Sequence, residues 1–204
     1  MDIPDLPGAL SAVGDGNYEL EMRAALDAAI GPQRLTAFND IVVVRVPGEG
    51  TAAIDLSVEG HHFVSYAADA VIVSTPTGST AYSFSAGGPI VAPSVQGILV
   101  TPSAPHSVFN RSVMVDHRHR LSLSILPSSG RLAVEVDGMV ATHVTAGDDV
   151  VLTARADGSQ VVRLGRTTFY QRAQRKLGVA GSTELKLSLS VTGKTPPSSP
   201  PPPS

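Results

Sequence analysis

The run Asp69-Ala-Val-Ile-Val-Ser-Thr-Pro-Thr-Gly-Ser-Thr-Ala-Tyr-Ser-Phe-Ser-Ala-Gly-Gly-Pro89 reads as a buried strand, a hydroxyl-rich loop and a short helix, in that order. Val71-Ile72-Val73 is β-branched and apolar at every position, which suits a strand covered on both faces. Pro76 has no amide to give to a sheet ladder, so the strand is expected to stop at Ser74 or Thr75. Ser79 or Thr80 is the expected helix N-cap. Gly87 and Gly88 can take the left-handed backbone that closes a helix, and Pro89 forbids its continuation. This order aims the free N–H groups of a helix start at the space above the end of the strand. An anionic or hydroxyl-rich ligand such as a nucleotide is favoured there. Ser74, Thr75, Thr77, Ser79 and Thr80 add hydroxyls that both donate and accept. The same residues also describe a Ser/Thr-rich surface loop with ordinary caps, and their chemistry alone leaves both readings open.

Outward from this run the chain is β-rich. Strands are expected over 41–46, 54–58, 62–66, 70–74, 98–101, 112–115, 120–126, 131–136, 139–144, 149–154 and 160–164. Turns are expected at Ser128-Ser-Gly130, Asp137-Gly138, Ala146-Gly-Asp148 and Asp157-Gly158. Such regular spacing predicts a mainly β fold, with antiparallel sheets packed as a sandwich-like domain and one or two short helices. Residues 20–30 are ambiguous, because their Ala-rich half suits a helix. Residues 168–177 are polar, basic and rich in good helix formers, which predicts a short helix.

The chain has 204 residues, 42% of them hydrophobic, enough for one substantial core. Its net charge of −3 gives no basis for a nucleic-acid or anionic-membrane partner. Without cysteine there are no disulfides, which fits a reducing, cytoplasmic setting. The apolar runs are too short to span a bilayer. His61 and His62 are neighbours on a strand and face opposite ways, while His117 and His119 lie among Arg118 and Arg120, so no metal site is expected.

The run Ser74-Thr-Pro-Thr-Gly-Ser-Thr-Ala-Tyr-Ser83, continued by Ser85-Ala-Gly-Gly-Pro89, resembles the signature of NAD kinases. Phe38-Asn39-Asp40 resembles the family's Asn-Asp/Glu motif at a strand start. The segment from Val100 to Val115, with Thr101-Pro102 and Pro105-His106, resembles its "TP…PH…R" stretch. Phe169 to Gly178 resembles its C-terminal helix, and the family pattern implies a strand over 20–30. The resemblance covers roughly residues 18 to 185. It implies a β-rich NAD-binding domain over 18–185, preceded by a remnant or linker over 1–17 from an absent N-terminal α/β domain. A Pro/Ser-rich tail at 186–204 is expected to be disordered, and from Lys194 onward it lacks apolar side chains.

By this resemblance NAD is bound by Asn39, Asp40, Asp69, Thr77, Thr80, Ala81, Tyr82, Ser83, Phe84 and Ser85. Asn39 and Asp40 would read the adenosine, Asp69 the nicotinamide end, and the 80–82 segment the adenine and dinucleotide. Ala70 stands where the family usually has glycine, and Met139 where relatives often continue Asp137-Gly138 with glutamine. His106 is expected to be structural. The family's Gly-Gly-Asp-Gly motif, whose aspartate is held to act as base, has no counterpart. Val13-Gly14-Asp15-Gly16-Asn17 lies in the wrong place, so Asp15 is read as a turn residue and the catalytic group stays unknown. The implied reaction is phosphoryl transfer from ATP or polyphosphate, with a divalent metal such as Mg, to the 2′-hydroxyl of the adenosine ribose of NAD. The chain is expected to be the NAD-binding part of such an enzyme, weak or inactive alone, within a homo-oligomeric dimer or tetramer. The alternative is a non-catalytic dinucleotide-binding or assembly subunit that needs a separate N-terminal partner.

Overall fold

The computed structural model describes residues 6–165 and 167–178. A helix, α1 (Leu6–Gly14), comes first, followed by β1 (Glu19–Ile30), β2 (Gln33–Ala37), β3 (Asp40–Arg45), β4 (Ala52–Val58), β5 (His61–Ala68) and β6 (Ala70–Ser74). A 3-10 turn at Gly78–Thr80 and a one-turn helix, α2 (Tyr82–Ser85), lead to β7 (Gly97–Ser103) and β8 (Val113–Asp116). Then come β9 (Leu121–Ile125), β10 (Leu132–Val136), β11 (Met139–Val144), β12 (Asp149–Arg163) and α3 (Phe169–Leu177).

The strands form two six-stranded sheets, ordered β2-β1-β12-β9-β4-β5 and β11-β10-β3-β6-β7-β8, with antiparallel neighbours throughout. Their inner faces share one apolar core, which includes Leu26, Ile41, Ile54, Tyr66, Val71, Ile98, Leu123, Leu132 and Leu152. The sandwich expected from strand spacing is therefore the observed architecture. Val71 and Val73 of β6 face this core, while Ile72 packs with Val42, Ala70 and Ala86 on the outer side. That outer layer is why β6 is apolar at every position, and the strand stops at Ser74 as expected.

Residues 20–30 are a strand, as the family resemblance implies, and their burial does not keep a strict two-residue period. The register against β12 shifts at a bulge between Arg23 and Ala25; Arg23 and Ala25 are buried in one phase, and Leu26 and Ala28 in the other. The same bulge corrects an expectation. Asp157-Gly158 is not a turn; β12 runs straight through it as one strand. A side chain at Gly158 would stand 2.3 Å from the Ala25 Cβ and 2.6 Å from its backbone nitrogen. The glycine is there for the close approach of two backbones, not for a reversal.

Two elements were not expected: β2, which is an edge strand, and α1, none of whose residues is buried. The Asp15 turn is found as expected, with Gly16 at φ 71° and the exposed Asp15 accepting from the Ser11 hydroxyl at 3.3 Å. Among the described residues no helix is long and apolar enough to cross a membrane.

The chain divides after Arg166. In the second unit, Thr168 caps α3 through a reciprocal box with Gln171, and Gly178 closes it at φ 62°. The expected boundary at 17/18 falls between α1 and β1. The boundary at 185/186 and the 186–204 tail lie outside the described residues.

Candidate functional site

Antiparallel pairing of β3 with β6 sets Asp40 opposite Ser74, so the Asn39-Asp40 pair and the hydroxyl-rich loop meet at one end of the second sheet. The junction is made by backbone. The Thr75 amide donates to the Asn39 carbonyl at 2.9 Å, and the Thr75 hydroxyl donates to the Phe38 carbonyl at 2.8 Å. Thr75 in turn accepts from the Gly78 amide at 3.0 Å. Gly78 lies so close to Asn39 that a Cβ there would stand 2.0 Å from the Asn39 carbonyl oxygen. The Thr77-Thr80-Tyr82 segment is thereby set beside Asn39 and Asp40.

The loop is held by buried hydroxyls rather than by a helix cap. Ser79 does not cap α2, contrary to expectation, and neither does Thr80; Ala81 holds that position with no side-chain bond. The Ser79 hydroxyl donates to the Pro76 carbonyl at 2.7 Å and accepts from the Val91 amide at 3.0 Å, pinning the two ends of the excursion together. Ser83 is fully buried, and its hydroxyl is hydrogen-bonded to Thr101 at 2.9 Å, which continues to Ser112 at 3.0 Å. It fastens α2 to β7 and does not face solvent. Of the glycines that end α2, Gly87 is left-handed at φ 89°, whereas Gly88 has no such angle. A Cβ at Gly88 would stand 2.4 Å from the Ser83 hydroxyl.

The remaining candidates are reachable to different degrees. Tyr82 and Ser85 are exposed, and Asn39, Thr77, Thr80, Ala81 and Phe84 are half-buried. Asp69 is not brought to this corner. It sits beyond the opposite end of β6, paired with Arg45 at 2.5 Å, and four or five strand residues place it about 15 Å from Asp40 within the chain.

Asp40 is 4% exposed. Burial is the main cause that pushes its carboxyl up to about 6, helped by the negative charge of Asp137 and Glu135 and opposed by the Tyr82 amide that hydrogen-bonds it. Two residues that sequence reading missed also belong to this corner. Asp137, expected as a turn residue, does form the hairpin turn with Gly138, at φ 48° and 84°. Its carboxylate, however, reaches back to the amides of Phe38, Asn39 and Asp40 at 2.9, 2.7 and 3.2 Å. Arg23 is 6% exposed, pairs with Glu21, and reaches the Thr77 hydroxyl at 3.4 Å. Neither contact leaves a local signal, because each joins residues far apart in the chain.

Among the described residues no three His, Asp or Glu side chains gather as a metal cage, so the residues present do not fit a divalent cation by themselves. A separate cleft of about 230 Å³ lies between Met22, the Pro93–Gly97 loop and His117; none of the candidate residues lines it.

Residues 38–164 match the family model described as the ATP-NAD kinase C-terminal domain. NAD kinase 1 of Streptomyces avermitilis is 36% identical over 184 residues, which is 88% of this chain and 52% of that protein. NAD kinase of Desulforamulus reducens is 32% identical over 182 residues, 87% of this chain and 63% of that protein. The chain thus spans about half to two-thirds of the length of these curated relatives. The crystal structure of yeast NADH kinase complexed with NADH superposes with a TM-score of 0.80 at 27% identity, covering 89% of this chain and 55% of that one. An NAD kinase from Archaeoglobus fulgidus in complex with ATP shares the fold, with a TM-score of 0.69 at 23% identity over 87% of this chain and 67% of that one.

Proposed function

Because this chain belongs to the ATP-NAD kinase C-terminal domain family, we propose that it supplies the NAD-binding surface of an NAD kinase. The complete enzyme would transfer a phosphoryl group from ATP or polyphosphate, with its divalent cation, to the adenosine ribose 2′-hydroxyl of NAD. One observation carries the reading: the Asn39-Asp40 pair and the Thr77–Tyr82 segment, distant in sequence, share one corner through Thr75 and Gly78.

In that corner Asn39 offers an amide that both donates and accepts, as a base edge requires, and Asp40 offers a carboxylate to ribose hydroxyls. Thr77 and Thr80 add hydroxyls, Ala81 its backbone, and Tyr82 and Phe84 aromatic surface, with Ser85 at the rim. Ser83 contributes by holding α2 in place. Asp69 would reach the same dinucleotide only from a second copy or across an extended ligand, which is consistent with a dimer or tetramer. A cytoplasmic setting fits this chemistry.

Asp40, whose carboxyl is raised to about 6, is buried and already holds the Tyr82 amide, and no donor site is found among the described residues, so the chain is proposed to bind and orient NAD rather than to complete the transfer. Calorimetric titration with NAD tests the reading. Binding should be saturable, and Asn39→Ala and Thr80→Val should each weaken it about tenfold, the usual worth of one or two hydrogen bonds. A folded chain that gives no heat with NAD would refute it. A second reading, a non-catalytic subunit that completes a site with a separate partner, rests on the partial span of the relatives. NAD binding with turnover restored by that partner would favour it.

A further inference from the structure

The segment Phe38–Asp40 has every main-chain polar group engaged. The Asp137 carboxylate accepts from all three amides, at 2.9, 2.7 and 3.2 Å. Thr75 takes the Phe38 and Asn39 carbonyls at 2.8 and 2.9 Å, and the Asp137 amide donates to the Asp40 carbonyl at 3.0 Å. With the backbone fully committed, the side chains are what remains to meet a ligand. The Asn39 amide has no side-chain partner among the described residues, although the residue is half-buried.

We infer that Asp137 is a positioning residue: its carboxylate clamps the Phe38–Asp40 backbone and so fixes the direction in which Asn39 and Asp40 present their side chains to the dinucleotide. This rests on the NAD reading above and adds a residue to it. The geometry distinguishes a clamp from an ordinary turn. β3 and β10 pair in register up to Ile41 and Val136, so Asp40 and Asp137 would be the next pair of the ladder. Asp137 has left the extended conformation, at φ 48°, and the bond returning from the Asp40 amide goes to its carboxylate instead. A carboxylate that merely closed the hairpin would bond within its own turn. This one spans 97 to 99 residues to reach the backbone of the two residues that carry the site's amide and acid. An anionic acceptor also makes stronger bonds to these amides than a carbonyl would.

The test uses Asp137→Asn and Asp137→Gly. Both residues tolerate positive φ, so the hairpin backbone keeps its shape while the carboxylate is lost. Hydrogen exchange, NAD titration and the NMR titration of the Asp40 carboxyl are measured on each. The groups whose charge acts on Asp40 are Asp137 and Glu135, while β6 and α2 bring Ser74 and the Tyr82 amide, without charge. The expected result has three parts. Exchange protection of amides 38–40 falls about tenfold while core amides such as Val71 and Val73 hold, NAD affinity falls about tenfold, and the Asp40 midpoint moves down. Protection lost with NAD affinity unchanged would make Asp137 merely structural, and protection retained would deny the clamp; either overturns the inference. If the unaltered chain does not bind NAD, the dinucleotide reading and the positioning role fall together. Exchange and the Asp40 midpoint then still report whether the clamp itself exists.

Discussion

Gly78 has no room for a side chain, since a Cβ would stand 2.0 Å from the Asn39 carbonyl oxygen and 2.5 Å from its carbon. Both are backbone atoms of a segment held on every side, so neither can give way. Gly78→Ala is expected to cost about 3 kcal/mol or more, at the upper end of overpacking, and chemical denaturation would measure it. Asp40 makes a prediction of opposite sign. Its carboxyl is held at about 6 against 3.8 in an unfolded chain. Between those values the folded state binds more protons than the unfolded one, so stability declines as pH rises from about 4 through about 6. Asp40→Asn keeps an acceptor for the Tyr82 amide but removes the buried charge. It should melt with the parent below pH about 4 and exceed it by up to about 3 kcal/mol above pH about 7, as a rise from 3.8 to about 6 implies. Equal stability of the two at neutral pH would show that burial does not raise this carboxyl. On the proposed NAD reading the sign reverses, because an ionised carboxylate accepts from ribose hydroxyls more strongly than the neutral acid. Affinity of the parent chain should therefore improve as pH rises through about 6.

At the scale of elements, the 75–91 excursion is stitched by side chains whose roles differ from their sequence appearance. Ser79 and Thr80 look interchangeable as caps, yet Ser79 is fully buried with three hydrogen bonds, to Pro76 and twice to Val91. Thr80 is half-buried with one long bond of 3.4 Å to the Thr77 carbonyl. Ser79→Ala should cost about 1–3 kcal/mol by leaving buried groups unpaired, while Thr80→Val should leave the melting temperature nearly unchanged and weaken NAD. A Thr80→Val chain that melts far below the parent would reverse that division of labour. The same excursion shows what a sequence can disclose. The apolar identity of Val71-Ile72-Val73 announced a strand covered on both faces, and Pro76 announced where it ends. Asp137-Gly138 announced a turn and hid a clamp, because its partners lie almost a hundred residues upstream. Gly158 read as a turn because glycine gives the same local signal whether the chain reverses or another backbone comes close. Residues 20–30 are ambiguous by sequence because an Ala-rich stretch suits a helix as well as a strand; the long pairing with β12 that makes them a strand joins residues more than a hundred apart.

For the whole chain, what the fold can do is bounded by what the corner contains. It is proposed to offer acceptors and donors to a dinucleotide, and Asp40 at about 6 is a carboxyl near a working base, but Asp40 is 4% exposed and already holds the Tyr82 amide. No Gly-Gly-Asp-Gly run occurs in the sequence, and the curated relatives extend well beyond the part this chain spans. A positioned base alone contributes about 10²–10⁴ to such a transfer, and charge neutralisation at the triphosphate adds to that. The purified chain, given NAD with ATP or polyphosphate and Mg, should therefore form NADP at least about a hundredfold more slowly than a full-length relative, even at saturating NAD. Saturation is the discriminating condition, since a defect of binding disappears there and a missing base does not. Robust NADP formation would place the base within this chain and make Asp40 the first residue to substitute. No turnover, with NAD bound and Asn39→Ala weakening it, would make this chain the part that orients the ribose hydroxyl and leave its activation to groups supplied from outside it.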